Sequence, residues 1–289
     1  MASKFDNILN FRDVGKTINA FLGKRMLQEG VLYRSARPDD ASLADRRKLK
    51  DELGVKTLMD LRTKTEHLKQ AEKRQADLRI PALLQSNAAL AEPVQIPGMK
   101  YLEIKITGGK FEKFMLSQLS WLSYFKLVFL YLTGRHTDAI KVMSKEVMLP
   151  RGLVGIGLDS LDHSGDEIAI ALRTFTTTPP SVPLLVHCTH GKDRTGIIIC
   201  LVLMVLHVPE EAIAHDYLLT RQGFETERES RLKEIEEIGL TAEWGDCPTD
   251  FVHRFHEHVR GRFGGIEGYL DGIEFGAEER RRLVETLGA

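Results

Sequence analysis

The sequence predicts an α/β fold: a central, mostly parallel sheet of four to five strands flanked by helices, with a helical, lid-like insertion before the last strand. Two observations lead there. Short apolar runs alternate with a helix-period segment early in the chain, as in a βαβ unit. Later, roughly 75 residues of helical character separate two strand-like runs, more than a single crossover helix needs.

The elements follow in order. Gly30–Ser35 is a short apolar strand. Residues Ala41–Leu53 carry helical periodicity and stop at Gly54, and Val55–Leu61 is a second buried strand. Lys100–Thr107 reads as another strand, and Val182–Cys188, after the breaker Pro179-Pro180, as the last. Between these two, Phe111–Leu132, His136–Met148 and Gly165–Thr176 read as helices. After Cys188 the chain is helical at 194–207, at 209–222 with Pro209 in its first turn, and at 226–238, 249–262 and 277–287. The whole chain, 1–289, reads as one domain, with about 108–178 as the insertion and 182–289 as a final, mostly helical part.

Composition narrows the class. The 289 residues are 43% hydrophobic, and 40 basic residues face 41 acidic ones. Such a balance argues against a surface built to coat nucleic acid, while leaving room for a local basic pocket. Three cysteines, Cys188, Cys200 and Cys247, are too few for a disulfide scaffold and lack zinc-knuckle spacing, so a cytoplasmic, reducing location without metal or other cofactor is expected. The N-terminal stretch lacks the basic-then-apolar order of a signal peptide. Ile197–Leu206 is too short to cross a bilayer, which takes about 20 helical residues. Phe114–Leu132 is interrupted by Ser117, Gln118, Ser120, Ser123 and Lys126.

The chemistry is carried by VPLLVHCTHGKDRTGIIIC, residues 182–200. A buried strand delivers Cys188 to its end, a glycine-containing loop follows, and an apolar helix starts at about Arg194. Backbone N–H groups from Thr189, His190, Gly191, Lys192, Asp193 and Arg194 can curl around one point at which the helix macrodipole also aims, an anion cradle that favours a thiolate. Arg194 offers a planar fork matched to two phosphate oxygens, and Thr195 a hydroxyl for the sulfur. A thiolate in a phosphate-sized cradle is equipment for phosphoryl transfer through a cysteinyl-phosphate. A lone C-x5-R arises by chance; its setting between an apolar strand and an apolar helix gives it weight.

These residues resemble a known family. His-Cys-x-x-Gly-x-x-Arg-Thr matches the signature loop of the cysteine-dependent tyrosine and dual-specificity phosphatases, and HCTHGKDRTG resembles an atypical branch with mycobacterial, Listeria and fungal members. Asn10-Phe-Arg-Asp-Val-Gly15, Leu32-Tyr-Arg-Ser35, Leu58-Met-Asp-Leu-Arg62 with Glu66, Val208–Ile213, Asp216–Thr220 and Gly268-Tyr-Leu270 match further blocks of that branch. Lys16 departs from it, standing where many members have a second glycine. The resemblance implies a phosphatase fold and a phosphotyrosyl, or also phosphoseryl or phosphothreonyl, protein substrate.

Two aspartates compete as the acid that protonates the leaving oxygen. The resemblance to this branch, and to the myotubularins, favours Asp193, just before the arginine; Asp60 sits at a strand end, where it can equally pair with Arg62. Lys192 either holds a second phosphate, as in phosphoinositide phosphatases, or balances Asp193; His190 adds charge to the loop. The apolar positions of 111–132 occupy more than one helical face, which favours a core or static cap, while the resemblance implies a mobile lid or a membrane-docking helix. Arg12 and Arg34 brace the cradle, orient substrate or simply form packing pairs. Cys200 is expected as a buried small hydrophobe, and Cys247 is a candidate resolving thiol. A pseudophosphatase and a rhodanese-like sulfurtransferase are the rival readings.

Overall fold

The computed structural model describes residues 5–68, 70–71, 96–179 and 181–289. The first four residues and Pro180 of the predicted breaker lie outside this set. Five strands form one sheet: β1 (Arg12–Asp13), β2 (Leu32–Ser35), β3 (Thr57–Asp60), β4 (Lys100–Glu103) and β5 (Leu184–His187). Their order is β1-β2-β5-β3-β4, with β1 antiparallel to β2 and all other neighbours parallel. The fold class is as the sequence predicts.

Strand β5 lies centrally, and β2, β3 and β5 are buried along their whole length. Both faces of these strands are covered, which is why they read as continuous apolar runs rather than alternating ones. Ser35 and Asp60 both pair with His187, so the carboxyl ends of β2, β5 and β3 finish level and their following residues meet along one edge. Parallel sheets bind ligands at this edge.

A helix absent from the sequence reading, α1 (Val14–Leu22), follows β1 directly. It is short and contains the weak helix formers Gly15, Thr17 and Asn19, and its start depends on the Asp13 side chain accepting from Lys16 N. Helix α2 (Leu43–Arg47) opens with a Ser42–Asp45 capping box and continues as a π-helical turn to Glu52; the chain then reverses at Gly54, φ +63°.

The insertion holds α3 (Gly109–Ser117), α4 (Trp121–Leu132), α5 (His136–Met143), α6 (Leu149–His163) and α7 (Gly165–Arg173). Helix α6 is the second unforeseen helix. Pro150 and Gly152 break its periodicity at a kink where Gly152 has φ +65°. Helix α4 corrects the expectation of a core helix. Only Leu130 is buried, while Trp121, Leu122, Phe129 and Leu132 are between 63% and 79% exposed. The small cluster formed by Phe111, Met115, Leu119 and Val147 reaches α4 only at Leu127, so its other face meets no second layer among the described residues.

After β5 come α8 (Asp193–Val205), α9 (Glu210–Leu218), α10 (Arg228–Glu237), α11 (Phe251–Phe263), α12 (Ile266–Gly272) and α13 (Ala277–Leu287). Helix α8 is buried from Thr195 to Val205 and forms the axis of the main core, where Phe175, Tyr217, Phe255 and Leu283 join one cluster. Cys200 lies in this core, its thiol pushed up to about 12 by burial. No described helix is long and apolar enough to cross a membrane.

Candidate active site

Cys188 follows β5 directly and is buried at the level edge. The loop after it turns its carbonyls outward. Thr189 O accepts from Arg37 N at 3.2 Å, and Lys192 O accepts from Gly196 N at 2.7 Å. His190 O and Gly191 O each accept from Asn10 Nδ2 at 3.1 Å, and Gly191 O accepts also from Arg34 Nη2 at 2.8 Å. By contrast, the backbone N–H groups of Thr189, Gly191, Lys192, Asp193 and Arg194 have no protein acceptor among the described residues. Donors left over in a concave loop at a helix N-terminus are an anion site. Gly191 is obligatory: its φ is +61°, and a Cβ there would lie 2.0 Å from Ser35 O.

A buried charge cluster holds the loop from behind. Arg34 Nη1 and Arg12 Nε donate to opposite oxygens of Asp216, at 2.5 and 2.8 Å. Arg12 Nη1 also donates to Asn10 Oδ1, fixing the amide that serves two loop carbonyls. Burial alone raises the Asp216 carboxyl, but the two arginines outweigh it and keep it below the usual carboxylate range. Burial likewise lowers Arg12 to about 10 against the pull of Asp216. Arg12 and Arg34 therefore brace the cradle.

Arg194 is fixed by Glu66. Its Nη1 and Nη2 donate to the two carboxylate oxygens at 2.6 Å each, and Nη1 also reaches Leu61 O at 3.3 Å. The same carboxylate accepts from the Thr189 hydroxyl and from Thr63 N, so it ties the start of the loop to its end. Burial works to raise Glu66, but Arg194 and these donors overcome it and hold it far below the usual range. The clamp leaves Arg194 Nε without a protein partner among the described residues.

The remaining predicted residues separate. Thr195 is fully buried and its hydroxyl has no protein partner among the described residues. Asp193 opens α8 with its side chain 43% exposed, 3.7 Å from Lys192 Nζ. Lys192 does not point into the cradle: its buried ammonium donates to Trp244 O at 2.9 Å and Asp246 O at 2.7 Å, pinning the loop to a turn 52 to 54 residues downstream. This corrects its reading as the holder of a second phosphate. Asp60 is corrected as well. Its carboxylate is buried and takes Arg62 Nε and Nη2, with His67 and His187 within 3.8 Å. Burial raises its carboxyl, yet these neighbours win and bring it to about 2, so it has no proton to give near neutrality. Cys247 is buried with its thiol raised by the same burial, and its carbonyl is held by Arg221.

Three residues that matter here carried no assigned role in the sequence: Asn10, Glu66 and Asp216. Each lies in a block that resembles the phosphatase branch, and that resemblance was their only signal.

The profile of the tyrosine phosphatase family matches residues 3–289. The chain is 35% identical over 161 residues to a tyrosine-protein phosphatase of Nostoc commune, covering 53% of this chain and 54% of that one. It is 28% identical over 226 residues to a putative tyrosine-protein phosphatase of Cupriavidus necator, covering 75% of this chain and 62% of that one. With the triple specificity protein phosphatase PtpB of Mycobacterium tuberculosis it shares 24% identity over 285 residues, 90% of each chain. The chain thus spans just over half to under two thirds of the first two relatives' length. With the family profile running along nearly its full length, the Cys188–Arg194 cradle included, the chain belongs to the tyrosine phosphatase family.

Proposed function

We propose that the chain hydrolyses phosphomonoesters through a cysteinyl-phosphate intermediate, with phosphotyrosyl side chains as its main substrate and phosphoseryl or phosphothreonyl ones as further substrates. The observation that carries this reading is the loop of outward-tied carbonyls and uncommitted N–H groups between Cys188 and the Glu66-clamped Arg194. The whole chain acts as one phosphatase domain in a reducing, cytoplasmic setting, which keeps the thiol reduced.

In the first step Cys188 Sγ attacks phosphorus in line with the ester oxygen. The backbone N–H groups and Arg194 hold the non-bridging oxygens, where charge gathers in the transition state. Asp193 gives its proton to the leaving oxygen as the P–O bond breaks. Water then attacks the cysteinyl-phosphate while Asp193 takes its proton, releasing phosphate and the thiolate. The hydroxyl of Thr195, without a hydrogen-bond partner among the described residues, is available to donate to the departing sulfur.

The test is phosphate release from p-nitrophenyl phosphate without added metal, with vanadate as inhibitor. Cys188→Ser is expected to abolish turnover while still binding vanadate. Full activity in that variant overturns the mechanism, and thiosulfate–cyanide transfer without phosphatase activity identifies a sulfurtransferase instead.

A second reading adds phosphoinositides. With Lys192 committed elsewhere, its support is the bare apolar face of α4, which suits contact with a lipid surface. Hydrolysis of vesicle-borne phosphoinositide that falls when Trp121 and Phe125 are both changed to Ser, with hydrolysis of a soluble short-chain analogue unchanged, is the expected outcome. Equal rates on vesicles for both proteins would remove the reading.

A further inference from the structure

We propose that the cavity between β1, α1 and α9 is a second ligand site, separate from the Cys188 cradle, that takes a small planar aromatic molecule carrying one anionic group. The cavity measures about 550 Å³, within the roughly 300–1,000 Å³ typical of small-molecule sites. None of its lining residues belongs to the 188–194 loop.

The chemical class follows from the walls. Two stacked ring pairs line the space. Phe21 and His215 have centroids 4.5 Å apart with planes inclined 23°, and Phe11 and Tyr33 lie 5.4 Å apart at 24°. Phe21 is 46% exposed, unusual for a phenylalanine already stacked on one side, so a ring face remains for a guest. Ala20 adds a small apolar position beside it.

The polar groups set the charge. Asp13 is already committed, accepting from Lys16 N at 3.1 Å and Gly30 N at 2.7 Å. Arg12 is equally committed, to Asp216 and Asn10. Lys16 is exposed at the cavity and its ammonium has no ion-pair partner among the described residues, while the Tyr33 hydroxyl likewise has no hydrogen-bond partner there. Aromatic walls, one uncommitted cation and one uncommitted hydroxyl complement a flat ring bearing a carboxylate or similar anion. Because Arg12 is part of the cavity wall, a bound ligand abuts the first residue of the chain of contacts that runs through Asp216 and Arg34 to Gly191 O.

The probe is 2-naphthoate, titrated calorimetrically into the full chain with saturating vanadate in the cradle. One-to-one binding is expected. Ala20→Trp, at an exposed helix position, fills the cavity and abolishes it, and Lys16→Glu weakens it by at least about tenfold, equivalent to about 1.4 kcal/mol. Both variants should keep wild-type melting and p-nitrophenyl phosphate turnover, while the Trp121→Ser, Phe125→Ser double variant of α4 should bind like wild type. Absence of binding to the wild-type chain, binding indifferent to both cavity variants, or binding lost with the α4 variant would each overturn the proposal.

Discussion

Glu66 grips Arg194 through both terminal nitrogens, each at 2.6 Å, across 128 residues of sequence. An arginine has several rotatable bonds, and a phosphate site gains from it only if the guanidinium is already in place. Glu66→Ala removes the clamp and the tie to Thr189 together. Its kcat/KM is expected to fall about 100-fold, the scale of a catalytic group displaced by about 1 Å. Glu66→Gln, which keeps a carbonyl acceptor, should recover part of the loss. Steady-state kinetics with vanadate affinity checks this: a purely structural role would lower melting temperature without weakening vanadate.

Asp216 is the shared acceptor of two buried guanidiniums. Asp216→Asn leaves both cations facing a neutral amide. Breaking a buried pair in this way costs about 3–5 kcal/mol, because the remaining charges are uncompensated. Chemical denaturation should show that loss, and the Arg34 contact to Gly191 O makes activity fall with it, even well below the unfolding transition.

The candidate site's central run was legible because it is local. Strand, Cys188, glycine, Arg194 and apolar helix occupy one run of sequence, and Gly191 carries its own steric reason. What joins this run to the rest was not legible: Asn10 meets the loop across 181 residues and Arg34 meets Asp216 across 182. Lys192 shows the limit most clearly. Its place in the loop was fixed by sequence, but its side-chain direction was decided by two carbonyls of a distant turn. For Asp60 the sequence offered both the acid and the ion pair, and burial beside Arg62 selected the pair. Periodicity in α4 marked its apolar residues, but it carries no information on whether a partner layer covers them.

Asp60 has a folded value of about 2 against its ordinary 3.8. A depressed carboxyl adds stability that is present above 3.8 and is lost as pH falls toward 2, on the order of 2 kcal/mol for this shift. The wild-type chain is expected to lose stability through that window. Asp60→Asn, which strands Arg62 beside Asp39, should be less stable near neutrality and show a shallower decline between these pH values. Denaturation midpoints measured along a pH series decide this; parallel curves for the two proteins would deny Asp60 its structural role.

In the proposed mechanism Asp193 is the acid, since Asp60 is bound in its ion pair, and it opens the cradle's own helix with a side chain 43% exposed. A general acid matters in proportion to how poorly the leaving group departs unaided, so its removal has a signature beyond a slower rate. Asp193→Asn should cut kcat for phosphotyrosine by about 10²–10⁴-fold, the usual reach of general acid catalysis. On p-nitrophenyl phosphate, whose phenolate leaves readily, the loss should be markedly smaller. A series of aryl phosphates of rising phenol pKa would therefore give a steeper dependence in the variant than in the wild type. Equal slopes would show that the proton comes from another group.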